Sequence, residues 1–233
     1  MIEQDLNQLK SLKKMALLVN VLGCILGLTT FLSPYFKEVL IYISFIYPVF
    51  CIFLVRYNRG LISLEPEIRK NLPTISIGFM FSCFGIIGIN FIDYNVIDYK
   101  NVWLPSIVIA ILILTIYYFN NFIELISKKE SLIYNLFIIL LIEAFCFSSV
   151  ILINCMYDKS SAQIYETTIL RKIEKKRKGG SSYYLVLEDW NNKFREKKIK
   201  VDYKKYYSSF KREKLKVAEN RGKFDIPWYY FIH

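Results

Sequence analysis

Five blocks of apolar residues, separated by short polar segments, fill the first two thirds of the chain. They run from about Met15 to Leu32, Val39 to Val55, Thr74 to Ile92, Val102 to Phe119 and Leu132 to Met156. A helix that crosses a bilayer needs about 20 mostly apolar residues, within a range of roughly 17–25. The pattern therefore predicts five transmembrane helices over residues 1–156. Past Met156 the period shortens. Ile164–Ile173, Tyr183–Leu187, Ile199–Val201, Leu215–Val217 and Ile226–Ile232 alternate apolar with polar or aromatic residues. Turn residues divide these runs: Lys178-Gly179-Gly180-Ser181-Ser182, Asn191-Asn192 and Asn220–Lys223. Short alternating runs between turns read as strands, and Asp202–Phe210 reads as one short helix. The expected architecture is a membrane all-α domain followed by a small all-β, barrel-like domain over 157–233. Its expected core is Tyr183, Leu185, Leu187, Ile199, Val201, Leu215, Val217 and Trp228.

Within the helical part, Gly23 and Gly27 form a GxxxG pair, and Gly78, Ser82, Gly85 and Gly88 thin one side of the third block. Small residues let helix backbones approach closely in a bilayer. The first block carries Asn20, Thr29 and Thr30, which make it the most polar of the five. Pro48 lies inside the second block, where neighbouring helices tolerate it. Trp103, Tyr117 and Tyr118 flank the fourth block, as aromatics do at a membrane–water boundary.

Charge divides the chain at about Tyr157. Residues 1–156 hold 11 Lys/Arg against 10 Asp/Glu, whereas 157–233 hold 20 against 10. The N-terminal segment and the segments 56–73 and 120–131 hold nine Lys/Arg, against two in 33–38 and 93–101. Lys/Arg in short segments favour the cytoplasm. The expected placement is thus a bacterial inner membrane, N-terminus cytoplasmic and β-domain extracytoplasmic. Usage rich in Ile, Lys, Asn and Tyr fits an AT-rich bacterial genome.

The segments 182–190 (SYYLVLEDW), 198–201 (KIKV), Tyr206 or Tyr207, 215–217 (LKV) and 222–228 (GKFDIPW) resemble, in their order, the C-terminal β-domains of uncharacterised bacterial multi-span membrane proteins. The resemblance covers about a third of the chain. That family has no established activity, so the resemblance implies a fold and no chemistry.

Enzyme constellations are scarce. The one histidine is His233, no phosphate-binding GxxxxGK[ST] loop occurs, and no two of the five cysteines form a CxxC pair. Histidine catalysis, a zinc site and a disulfide framework are therefore unsupported, and no cofactor is implied. Glu143 stands near the middle of the fifth block, where a charge is costly by about 2.5–3.5 kcal/mol on insertion scales. No span holds a basic counter-ion, so a neutral, hydrogen-bonded carboxyl is expected, with Asn20, Ser82 or Thr115 as partner. In the tail, Lys172, Lys175, Lys176, Arg177, Lys178, Lys197, Lys198 and Lys200 are the candidates for an anionic partner. The resulting expectation is a non-enzymatic membrane protein of sensor, accessory or immunity type, whose tail binds an anionic lipid surface or a protein partner. Two alternatives stay open: a small transporter or channel using Glu143, and a membrane effector whose tail, if cytoplasmic, senses a nucleotide or nucleic acid.

Overall fold

The computed structural model describes residues 2–33, 37–58, 61–64, 73–118, 129–177, 180–190 and 196–232. In chain order these form α1 (Ile2–Leu32), α2 (Lys37–Tyr57), α3 (Ser76–Asp93), β1 (Asn95–Val96), α4 (Lys100–Tyr118) and α5 (Lys129–Met156). There follow β2 (Gln163–Arg177), β3 (Gly180–Glu188), β4 (Glu196–Val201), α6 (Tyr203–Ser208), β5 (Lys214–Asn220) and β6 (Trp228–Ile232). Two compact units result: Met1–Tyr94 with Tyr99–Met156, and Asn95–Asp98 with Tyr157–His233.

The helical unit contains five helices long and apolar enough to cross a membrane. α1 starts well before the apolar block, because the polar stretch from Ile2 is helical too. α2 continues through Pro48, and α4 through Pro105. α3 is the central helix and packs against α1, α2 and α5. Its Phe79, Cys83, Ile86 and Ile89 are at most 1% exposed, at the three- and four-residue spacing of one helix face.

Helices α1 and α3 meet along glycines. A Cβ on Gly78 would stand 2.7 Å from Val19 O, and one on Gly85 would stand 2.9 Å from Gly27 O. A Cβ on Gly23 would collide with Gly78, and one on Gly27 with the Phe81 carbonyl. Both residue series ascend together, so the two helices run parallel. The sequence marks both glycine runs, and here they form one seam.

Neutral polar side chains tie the remaining pairs. Thr30 Oγ1 lies 2.8 Å from Ser44 Oγ between α1 and α2. Asn90 Nδ2 donates to Ser148 Oγ at 3.4 Å between α3 and α5, and Tyr118 OH to Asn135 Oδ1 at 3.3 Å between α4 and α5. Such bonds average about 0.6 kcal/mol in membrane proteins. Lys37, at the start of α2, forms an ion pair with Asp93, the last residue of α3.

The second unit is a curled, antiparallel half-barrel of six strands in the order β1-β6-β5-β2-β3-β4. The sequence suggests five. The sixth, β1, comes from the segment between α3 and α4 and pairs Asn95 with Tyr229 and Val96 with Trp228. A two-residue strand carries no periodicity from which to read it. β2 serves two neighbours: Gln163–Thr168 pairs with β5, and from Ile169 onward it pairs with β3. A bulge between Ile169 and Arg171 marks the change, and a bulge bends and twists its strand. The core holds Ile169, Leu185, Leu187, Trp190, Ile199, Leu215, Val217 and Tyr229. Of the expected core residues, Tyr183, Val201 and Trp228 are half-buried instead. The short helix spans Tyr203–Ser208, and the Asp202 side chain caps it by accepting from Lys205 N at 2.6 Å. The turn at Asn191-Asn192 lies outside the described residues.

Gly27→Leu should break the seam, because the obstacle is backbone and cannot rotate away. Overpacking usually costs about 1–3 kcal/mol. The check is the melting temperature of the detergent-purified chain against Ile25→Leu, a change at a position 54% exposed. Equal melting temperatures would contradict the seam.

Candidate functional sites

Asn20 is a capping residue for another helix. Helix α3 has no side-chain cap of its own at Ile75. Instead Asn20 Oδ1 accepts from Gly78 N at 2.9 Å, and Asn20 Nδ2 donates to Thr74 O at 2.7 Å. The first N–H groups of a helix lack intrahelical acceptors, and in a bilayer no water replaces them. The side chain of α1 thus satisfies α3, at the point where the glycine seam brings the two backbones together.

Glu143 sits half-buried on α5. None of Asn20, Ser82 and Thr115 is its hydrogen-bond partner. Ser82 Oγ donates to Phe79 O and Thr115 Oγ1 to Ile111 O, each within its own helix. The partner is the fully buried Ser106 on α4, whose Oγ lies 2.9 Å from Glu143 Oε1 and 2.9 Å from Trp103 O. The Ser106 hydroxyl is shared between the Glu143 carboxyl on α5 and the Trp103 carbonyl of its own helix. The contact fastens α4 to α5.

The tail lysines do not form one surface. Successive strand residues point to opposite faces. Lys172 and Lys197 fall on the core side. Lys172 Nζ donates to Ser209 O at 2.7 Å and lies 4.5 Å from the Tyr206 ring centroid. Lys197 Nζ lies 4.3 Å from the Tyr229 ring centroid, beside Trp190, whose Nε1 donates to Glu219 Oε2 at 3.3 Å. Sequence reasoning passed over Glu219, a buried carboxylate. Its alternation with the apolar Val217 was the available signal.

Lys175, Lys198 and Lys200 fall on the outer face around Tyr184. Lys198 Nζ stands 4.2 Å and Lys175 Nζ 5.9 Å from the Tyr184 ring centroid, and Lys200 is paired across the ladder with Tyr184. Lys216 on β5 shares this face. Two ion pairs, Arg171–Glu196 and Lys214–Glu166, neutralise other positions of it. Lys176 is exposed near the β2–β3 tip. Lys178 and the Arg177 side chain lie outside the described residues.

Asp158 secures the opposite end of the sheet. Its carboxylate accepts from Ser160 N at 2.8 Å, Gly222 N at 2.9 Å and Trp228 Nε1 at 2.8 Å. Partial burial alone would raise its pKa, but these donors outweigh it and hold the carboxyl below the ordinary value. Among the described residues, no three His, Cys, Asp or Glu side chains come together as a metal site. No protein-family model, curated protein or solved structure matches the chain.

Two outcomes follow. Glu143→Gln should leave folding nearly unchanged, whereas Glu143→Lys should cost roughly 2.5–3.5 kcal/mol of insertion. Membrane-fraction yield and monodispersity read this, and equal damage by both would contradict the neutral carboxyl expected from the sequence. Asp158→Asn should lower stability at pH 7 by about 1–3 kcal/mol, since three donors lose a charged acceptor. A depressed folded pKa gives stability that is present above the unfolded value, about 3.9, and is lost as pH falls through the folded value. The gap between wild type and variant should therefore narrow below about pH 4. A thermal melt of the β-unit by tryptophan fluorescence measures it, and a gap unchanged at low pH would refute the assignment.

Proposed function

We propose that the chain is a non-enzymatic integral protein of a bacterial inner membrane, with a β-unit that binds an acidic partner through its outer face. One observation carries this reading. Lys175, Lys198, Lys200 and Lys216 share that face with Tyr184, and of its carboxylates Glu166 and Glu196 are already paired, which leaves Glu188 against four lysines. A cluster of unneutralised cations beside an aromatic ring attracts anions and adds contact area. It fits a sensor, accessory or immunity role and needs no catalytic group.

The N-terminus is cytoplasmic and the β-unit extracytoplasmic. The bias of nine Lys/Arg to two in short segments supports this. The β1–β6 pairing requires the segment between α3 and α4 to share a side with the tail, whichever side that is. Two membrane crossings, α4 and α5, meet that requirement. A transport path through Glu143 has less support, since its Ser106 contact accounts for it as a fastener.

The test compares Lys198→Glu/Lys200→Glu with Lys204→Glu/Lys211→Glu in the full-length, detergent-solubilised chain on a heparin-type polyanion resin. Both pairs change the net charge equally. The first should elute at clearly lower salt than the second, and all binding should vanish near 1 M salt, where the Debye length is about 3 Å. Equal shifts would mean that total charge acts, not this face. A cytoplasm-only reporter fused after His233 should stay silent, and a strong signal would reverse the orientation.

A further inference from the structure

The end of the sheet unit at which the chain enters and leaves has a composition of its own. Asn95, Asp98 and Tyr157 bound the unit, and each is one or two residues from the end of α3, α4 or α5. The β5–β6 turn is pinned to the same end. Asp158 holds Gly222 N and Trp228 Nε1, and Arg221 N donates to Ser160 Oγ at 3.2 Å. Lys223 Nζ lies 4.9 Å from the Tyr157 ring centroid and 5.8 Å from that of Phe224. Phe224 is 43% and Tyr157 41% exposed, and Lys159 is exposed beside them. Tyr157 directly follows the residue that closes the last apolar span. Aromatic side chains and snorkelling lysines are the residues that suit the headgroup layer.

We propose that the β5–β6 turn is seated in the phospholipid headgroup layer, with Lys223 on a lipid phosphate and Phe224 at the acyl boundary. This rests on the membrane reading above and is independent of the outer lysine face. A competing candidate exists on composition alone. Phe210 is 72% exposed and precedes Lys211 and Arg212. That turn, however, precedes β5 while Lys223 and Phe224 follow it. The seven residues of β5 hold the two turns on the order of 20 Å apart. Only the latter is tethered to the residues that follow a span.

The test places the photoreactive residue p-benzoylphenylalanine at position 224 or 210 of the full chain, in vesicles of phosphatidylcholine with phosphatidylglycerol. After irradiation, mass spectrometry should find phospholipid adducts several-fold more often at 224 than at 210. Lys223→Glu should lower the yield at 224. Adducts equal at both sites, or greater at 210, would overturn the proposal. Float-up of the vesicles with the protein separates the two levels. Protein that floats without an adduct at 224 refutes the seating alone. Protein that stays behind refutes the membrane reading. A yield at 224 that disappears when inorganic phosphate is added would assign Lys223 to free phosphate and not to lipid.

Discussion

Helices α1 and α3 touch backbone to backbone, and the rest of the helical unit depends on that approach. In a bilayer the lipid tails are as apolar as the side chains, so burial alone does not drive helices together. What remains is close contact and polar bonding. Glycine supplies the first here, because any side chain at Gly27 would enter the Phe81 carbonyl. The second follows from it. Only at this separation can Asn20 reach the opening turn of α3 and answer its unsatisfied N–H groups. Helix α3 is thereby fixed in depth and rotation, and α2 and α5 pack on its other sides. Ser106 and Glu143 then join α4, the helix with the least buried surface, to α5.

The β-unit solves a different problem. Its total charge is high, yet its core must exclude charge. The bulge in β2 reconciles the two, since an extra residue at Leu170 keeps Ile169 inward and Arg171 outward. The long strand can then serve β5 and β3 in succession, with Ile169 in the core where it changes partner. Lys172 and Lys197 still fall inward, and both lie against aromatic rings. A cation over a ring face keeps some of the electrostatic stabilisation it loses on leaving water.

Much of this was legible in the residues. Blocks of apolar residues show as helices because length and hydropathy are local properties, and the glycine runs at Gly23–Gly27 and Gly78–Gly88 show because small residues at helical spacing are rare without a packing reason. The alternation through Leu185, Leu187 and Ile199 is as plain. What the residues hide depends on which elements meet. Asn20 looks like a polar defect until α3 is beside it. Three neutral partners suggest themselves for Glu143, and the true one, Ser106, is on the single helix that none of them except Thr115 shares. The division of the lysines is an intermediate case. Lys197 and Lys198 are neighbours, so a strand must send them to opposite faces, and the tail's charge excess could have been split by that rule alone.

The borrowed strand β1 has a consequence for the making of the protein. Asn95 leaves the ribosome long before Tyr229, its partner across the ladder. During that interval α4, α5 and β2 to β5 must be synthesised. β6 is translated after every other described element, and it carries both the partner of β1 and the indole that Asp158 binds. A nascent chain stalled before Trp228 thus has all five helices in hand and an unfinished sheet, with the edge of β5 bare. Contacts so distant in sequence form slowly. Until Trp228 is made, the bare edge of β5 is what separates an interrupted molecule from a finished one.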